Sequence, residues 1–352
     1  MSPPLAEMLA APELLPHAID ETGTRLLLLQ LDEATIREAS FLDQRVVGAQ
    51  PRGSWQALDD VIAAIDPAMP DDADYIFHLG HVGSTLVARL LGELGGVLAL
   101  REPQILRRLS EIAAKGDPPD ALWDPAIVEV RIAALRRLLA RRFRPEQRTL
   151  VKATSFVSQI ADRLLAPGAR TLFLEVSLES YMRTILAGEN SRAEAMLLAP
   201  QRLARLAKLV PEMPWRVWTM SEGEKVALGW LVETLSLERA AARMAGDAVL
   251  RVDFDRFLDD PAAGIMRMAG HLRLPLAEGE AARLAASPLM TRYSKAPEHE
   301  YSAQLRRNLQ RQAGEEHRAA IAQGLAWIEA CAARDASIAQ ATRRNASHVQ
   351  AD

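Results

Sequence analysis

Five apolar runs of strand length recur in the chain, at 75–79, 97–100, 149–152, 171–176 and 249–254. Each is continuous rather than alternating, the pattern of a strand covered on both faces, and stretches of helical periodicity separate them. Strands of that kind joined by helices pack as a mostly parallel sheet with helices on both sides, so the spacing predicts a three-layer α/β domain. The segment Asp66-Pro67-Ala68-Met69-Pro70-Asp71-Asp72 joins two prolines to three acids, which breaks helix and strand alike and marks a boundary. Residues 1–70 then form an N-terminal region with apolar runs at 25–31 and 41–47 and a predicted helix over 54–65. Residues 71–300 form the sheet domain. Residues 301–352 form a helical extension, with Ile321, Leu325, Ile328 and Cys331 as its apolar stripe and a frayed end.

Composition narrows the function. At 352 residues, 49% hydrophobic and 25% charged, the chain has the make-up of a globular protein. Its net charge of -4 supplies no field that would draw it to nucleic acid or to an anionic membrane, so any anion site must be built locally. A lone cysteine, Cys331, leaves no intramolecular disulfide and no thiolate metal cluster, and no apolar run approaches the length of a membrane span. With no basic, then apolar, leader at the start, the expected compartment is the cytoplasm. Asn345-Ala346-Ser347 has the form of a glycosylation sequon and is read as chance.

Ligands of open parallel sheets bind beyond the carboxyl ends of the strands, which points to the turn after the first core run, Gly80-His81-Val82-Gly83-Ser84-Thr85. Two glycines let the backbone curl with its N–H groups inward. Ser84 or Thr85 is placed to cap a helix over 86–94, whose positive end faces the same point. The pattern predicts an anion cradle. The spacing differs from a Walker A loop and lacks its lysine, which argues against a conventional ATPase. His78 lies inside the strand and reads as a satisfied core residue. Glu298-His299-Glu300 has no second cluster at ligand spacing, so no metal is expected. Trp215, Trp218 and Trp230 read as core residues of a helical insertion, with an acceptor wall as the alternative.

The stretch Tyr75-Ile76-Phe77-His78-Leu79-Gly80-His81-Val82-Gly83-Ser84-Thr85-Leu86 resembles the strand and 5′-phosphosulfate loop of the sulfotransferases. Val97-Leu98-Ala99-Leu100-Arg101-Glu102-Pro103 is similar to the second strand of bacterial and tyrosylprotein members, with Glu102 at the position of their catalytic carboxylate. Thr149-Leu150-Val151-Lys152 resembles their strand ending in lysine. Residues 171–184 fall where their 3′-phosphate motif lies, and residues 249–261 resemble their late strand with its Asp-Pro segment. The resemblance spans about residues 75–300.

It implies a P-loop fold and transfer of a sulfuryl group from 3′-phosphoadenosine 5′-phosphosulfate (PAPS) to a hydroxyl acceptor, without a metal. It makes Glu102 the general base, Lys152 a nucleotide or sulfate contact, and residues 80–85 the phosphosulfate cradle. His81 takes the place of the family's loop lysine or arginine. The family's arginine after the third strand falls on Val176, and its partner serine on Thr184. A 3′-phosphate would then need other cations, for which Arg183, Arg192, Arg292 and Lys295 are the candidates by order. A kinase-like phosphotransferase using Asp253 and Asp255, and a non-catalytic nucleotide-binding protein, are the competing readings.

Overall fold

The structure is a computed structural model, and it describes residues 4–48, 52–292 and 300–350. Three N-terminal strands, β1 (Leu14–Ile19), β2 (Arg25–Gln30) and β3 (Gly53–Ala57), form an antiparallel sheet in the order β1-β2-β3. Five more, β4 (Asp74–His78), β5 (Val97–Arg101), β6 (Arg148–Lys152), β7 (Thr171–Glu175) and β8 (Val249–Asp253), form a parallel sheet in the order β5-β6-β4-β7-β8. The expected α/β architecture is thus the observed one, with each predicted run within about two residues of a strand. Among the described residues no helix is long and apolar enough to cross a membrane.

The sheet order fixes the site. The chain leaves β4, skips a strand position to make β5, returns to fill the gap with β6, and then crosses to the other side of β4 for β7. The direction reverses at β4, and the crevice beyond its carboxyl end is where such sheets bind ligands. β4, β5 and β7 are buried along their whole length, which is why their sequences are continuously apolar.

β5 is an edge strand, yet the N-terminal region covers it. The Leu42 N–H donates to the Arg101 carbonyl (2.7 Å), and the Gln104 N–H donates to the Leu42 carbonyl (3.1 Å). The Arg101 guanidinium, 3% exposed, donates to the Ala39 carbonyl (2.6 Å) and to the Arg37 carbonyl (2.7 Å) at the end of the helix Glu33–Glu38. A cation there complements the helix's negative end, and burial pulls the Arg101 pKa down to about 10. This clamp protects the strand edge and carries residues 41–47 to the carboxyl edge of the sheet.

The helix expected over 54–65 starts only at Leu58 and runs to Ala64. Residues before it pair with β2 as β3, a mostly exposed edge strand with no apolar alternation to announce it.

Candidate active site

The turn after β4 leads into helix α1 (Ser84–Gly92). His78, at the end of β4, locks its start. The Gly80 N–H donates to His78 Nδ1 (3.0 Å), so that nitrogen is the acceptor, and Nε2 at 2.9 Å from the Ala153 carbonyl is the donor. Gly80, His81 and Gly83 all take positive φ, at 92°, 55° and 67°. A non-glycine residue there is strained, and such strain collects at functional turns. Gly83 is itself the N-cap, so Ser84 and Thr85 occupy the first helical positions and neither caps by its side chain, a correction to the sequence expectation. The first N–H groups of α1 therefore have no intrahelical acceptor. The Thr85 hydroxyl, in a side chain 2% exposed, also lacks a hydrogen-bond partner.

Gly83 is fixed by packing as well as by φ. A Cβ on it would lie 1.9 Å from Cζ of Phe254, whose ring closes over the turn, whereas a Cβ on Gly80 would meet only the Ser155 hydroxyl at 3.6 Å. Gly83→Ala is expected to lower the unfolding free energy by about 2–4 kcal/mol, backbone strain plus overpacking, and Gly80→Ala by about 1–2 kcal/mol from strain alone. Urea denaturation of the two variants checks the ranking; the reverse order would show that the Phe254 contact does not constrain the turn.

Glu102 and Lys152 end adjacent strands. The Glu102 N–H donates to the Lys152 carbonyl (2.7 Å), and the Lys152 ammonium pairs with the Glu102 carboxylate. Lys152 is 1% exposed and lies 5.7 Å from the centre of the Phe41 ring, so its charge is spent on positioning Glu102. Glu102 has φ 51°, which turns its side chain out of the strand's alternation.

Two adjoining cavities meet at this carboxylate. The smaller, about 100 Å³, is lined by residues 81–86 together with His78, Glu102, Thr184, Phe254, Tyr301 and Arg306. It has room for a phosphate-sized group, a few times the volume of one water. The larger, about 550 Å³, shares His78, His81 and Glu102 with it and extends over Arg45, Gln104, Arg107, Ser155 and Phe156. His81 Nε2 lies 3.7 Å from a Glu194 carboxylate oxygen across the larger cavity.

The cations expected from sequence are placed otherwise. Arg183 pairs with Glu179 (2.5 Å) and Arg192 with Glu222 (2.9 Å), and neither lines the two cavities. Arg292 forms an isolated antiparallel backbone β-bridge with Glu300 and lines neither; Lys295 lies outside the described residues. Val176 is wholly buried, with its carbonyl accepting from Trp230 Nε1 (3.2 Å) and Asn345 Nδ2 (3.3 Å). Trp230 is core, Trp218 is 81% exposed, and neither they nor Trp215 lines the cavities.

Sequence reading missed Arg306. Helix α2 (Ala303–Glu316) lies against the helix Leu178–Leu186 and brings Arg306 to the smaller cavity, with Gln310 one turn on bonded to the lining residue Thr184. Arg306 pairs with Asp255 (3.0 Å), reaches the Ser180 hydroxyl (3.4 Å) and covers the Phe254 ring at 5.3 Å. Gln310 Nε2 donates to Thr184 Oγ1 (3.0 Å), which itself donates to the Ser180 carbonyl (2.8 Å). Its role comes from a contact 126 residues away in sequence, which leaves no local signal.

No protein-family model matches this sequence, and no curated protein matches it either. Among solved structures it is similar to the sulfotransferase domain from the curacin biosynthetic pathway, at 11% identity over 66% of this chain and 83% of that one, with a TM-score of 0.38. A sulfotransferase from Mycobacterium avium is similar at 12% identity over 73% and 79% of the two chains, with a TM-score of 0.37. A mouse sulfotransferase complexed with PAP is similar at 11% identity over 67% and 73%, with a TM-score of 0.32. All three are sulfotransferases, and the chain is similar to them.

Proposed function

We propose that the chain moves a sulfuryl group from PAPS to a hydroxyl acceptor. The observation that carries this reading is the convergence of a carboxylate, Glu102, with the open N-terminus of α1 at the two cavities beyond β4. The N–H groups of the first turn and the partnerless Thr85 hydroxyl suit the oxygens of a 5′-phosphosulfate. Glu102, held by Lys152, takes the proton of the acceptor hydroxyl. The acceptor oxygen bonds to sulfur as the bond from sulfur to the 5′-phosphate oxygen breaks. The negative charge collecting on that oxygen faces the helix N-terminus and His81, whose ring, when protonated, takes the part of the family's loop lysine. Catalysis of this kind rests on placement and electrostatics rather than on covalent chemistry.

The 3′-phosphate falls to Arg306. Thr184 stands at the family's serine position, and Arg306 joins it on the wall of the smaller cavity through Ser180 and Gln310. Arg306→Ala is expected to weaken binding of adenosine 3′,5′-bisphosphate by about 10- to 150-fold and to leave 5′-AMP binding unchanged, the loss of one charge-assisted hydrogen-bonding partner. Calorimetry with the bisphosphate, 5′-AMP, ADP and ATP tests the whole reading. Preference for the bisphosphate over 5′-AMP by tenfold or more supports it. Equal affinity for those two would remove the 3′-phosphate site, and tightest binding of ATP with Mg²⁺ would move the assignment to a phosphotransferase. Against the latter, Asp253 caps a helix by accepting from the Arg256 N–H (2.9 Å), and Asp255 is paired with Arg306.

A further inference from the structure

We infer that the larger cavity binds a hydroxylated acceptor that carries a carboxylate, with Arg107 as the residue that recognises the carboxylate; this rests on the sulfuryl-transfer reading of the same site. Two guanidiniums line that cavity, and they differ. Arg45 is committed to Asp43, which holds its pKa above the usual arginine value, and lies on the Phe41 ring at 3.7 Å. Arg107 stacks on the Phe156 ring at 4.8 Å, and its nearest carboxylate, on Glu111, is 3.6 Å from Nε, beyond hydrogen-bonding range. Paired with Glu111 at ion-pair distance only, its guanidinium donors make no hydrogen bond among the described residues, and a guanidinium on an aromatic face can grip a carboxylate by two parallel hydrogen bonds.

A second cation reinforces that end. Arg202 is 6% exposed and lies 5.7 Å from the centre of the same Phe156 ring. Among the described residues it makes no ion pair, and its Nε has no hydrogen-bond partner. A buried guanidinium without a counter-ion is costly, and an anion on the Arg107 side of Phe156 offsets that cost.

The remaining wall asks for hydroxyls. Gln104 Oε1 and Thr154 Oγ1 are buried at the cavity lining with no partner. The amide oxygen accepts only, so an O–H or N–H of an occupant that reaches it would satisfy it. Glu102 and Glu194 also line the cavity and repel a carboxylate from their part of it. The ligand is thereby oriented, with its carboxylate toward Arg107 and a hydroxyl toward Glu102.

Saturation-transfer NMR titrations with D-glucuronate, and with D-glucose as its neutral counterpart, test this. Glucuronate is expected to bind at least tenfold more tightly than glucose, and Arg107→Gln to erase the difference while leaving adenosine 3′,5′-bisphosphate affinity unchanged. Gln104→Leu is expected to weaken both sugars. Equal binding of the two sugars by the unmutated protein, or an Arg107→Gln variant that still prefers glucuronate, would overturn the assignment. Glucuronate binding that survives when the bisphosphate fails to bind supports the anion site and removes the sulfuryl-transfer reading. Bisphosphate binding without any preference for glucuronate removes the acceptor assignment alone.

Discussion

Glu102→Gln lowers kcat for sulfuryl transfer by about 10²–10⁴-fold while leaving the affinity for adenosine 3′,5′-bisphosphate within about twofold; this is the expected result if the carboxylate is the base. The glutamine keeps the shape of the side chain and can still bond to the Lys152 ammonium, so position is retained and proton acceptance is lost. Glu102 also occupies a left-handed backbone position at the end of β5, a strain that the Lys152 pair and the Glu102 N–H bond to β6 hold in place. Steady-state kinetics with a phenolic acceptor, together with calorimetry of the bisphosphate, separate chemistry from binding. A variant retaining more than a tenth of the wild-type kcat would exclude Glu102 as the base. One that loses bisphosphate binding in parallel would make its role structural.

The parallel sheet was legible because its strands are buried on both faces and their sequences show it without interruption. The turn at 80–85 was legible because glycine is needed where φ is positive, and Gly80 and Gly83 both prove to be such positions. Other features left no local trace. β3 is an edge strand whose pairing depends on the apolar run of β2, so its own residues carry almost no pattern. Arg306 reaches the cavity across 126 residues of sequence to Ser180, through the packing of one helix on another. By position alone it was one more charge on an amphipathic helix. The expected cations Arg183 and Arg192 illustrate the converse, since both have glutamate partners that spacing on one helix, or contact between two, provides. Lys152 was read as a ligand contact from its place at a strand end. Its neighbour in register is one residue from Glu102, and that pairing consumes the charge.

The second large effect is on stability, and it bears on the same cavity from behind. Glu233 is fully buried and pairs with Arg205, 8% exposed, at 2.6 Å. The Ser158 hydroxyl also donates to this carboxylate, and Arg205 Nη2 reaches Ser158 Oγ (3.1 Å) and Ser236 Oγ (3.2 Å). Arg205 and Arg202 lie 5.3 Å and 5.7 Å from the centre of the Phe156 ring, which walls the larger cavity. Glu233→Ala removes the anion and leaves two buried guanidiniums facing one ring. Stranding a buried charge in this way costs about 3–5 kcal/mol. With ~2.1 cal/mol/K of unfolding entropy per residue, that corresponds to a melting temperature lower by about 4–7 °C. Urea denaturation of Glu233→Ala, of Arg205→Met and of the double variant measures the coupling between the two residues. The double variant is expected to be more stable than Glu233→Ala, because the stranded charge is gone. A Glu233→Ala loss below about 1 kcal/mol, or strict additivity of the two changes, would show that the pair does not hold the Phe156 wall.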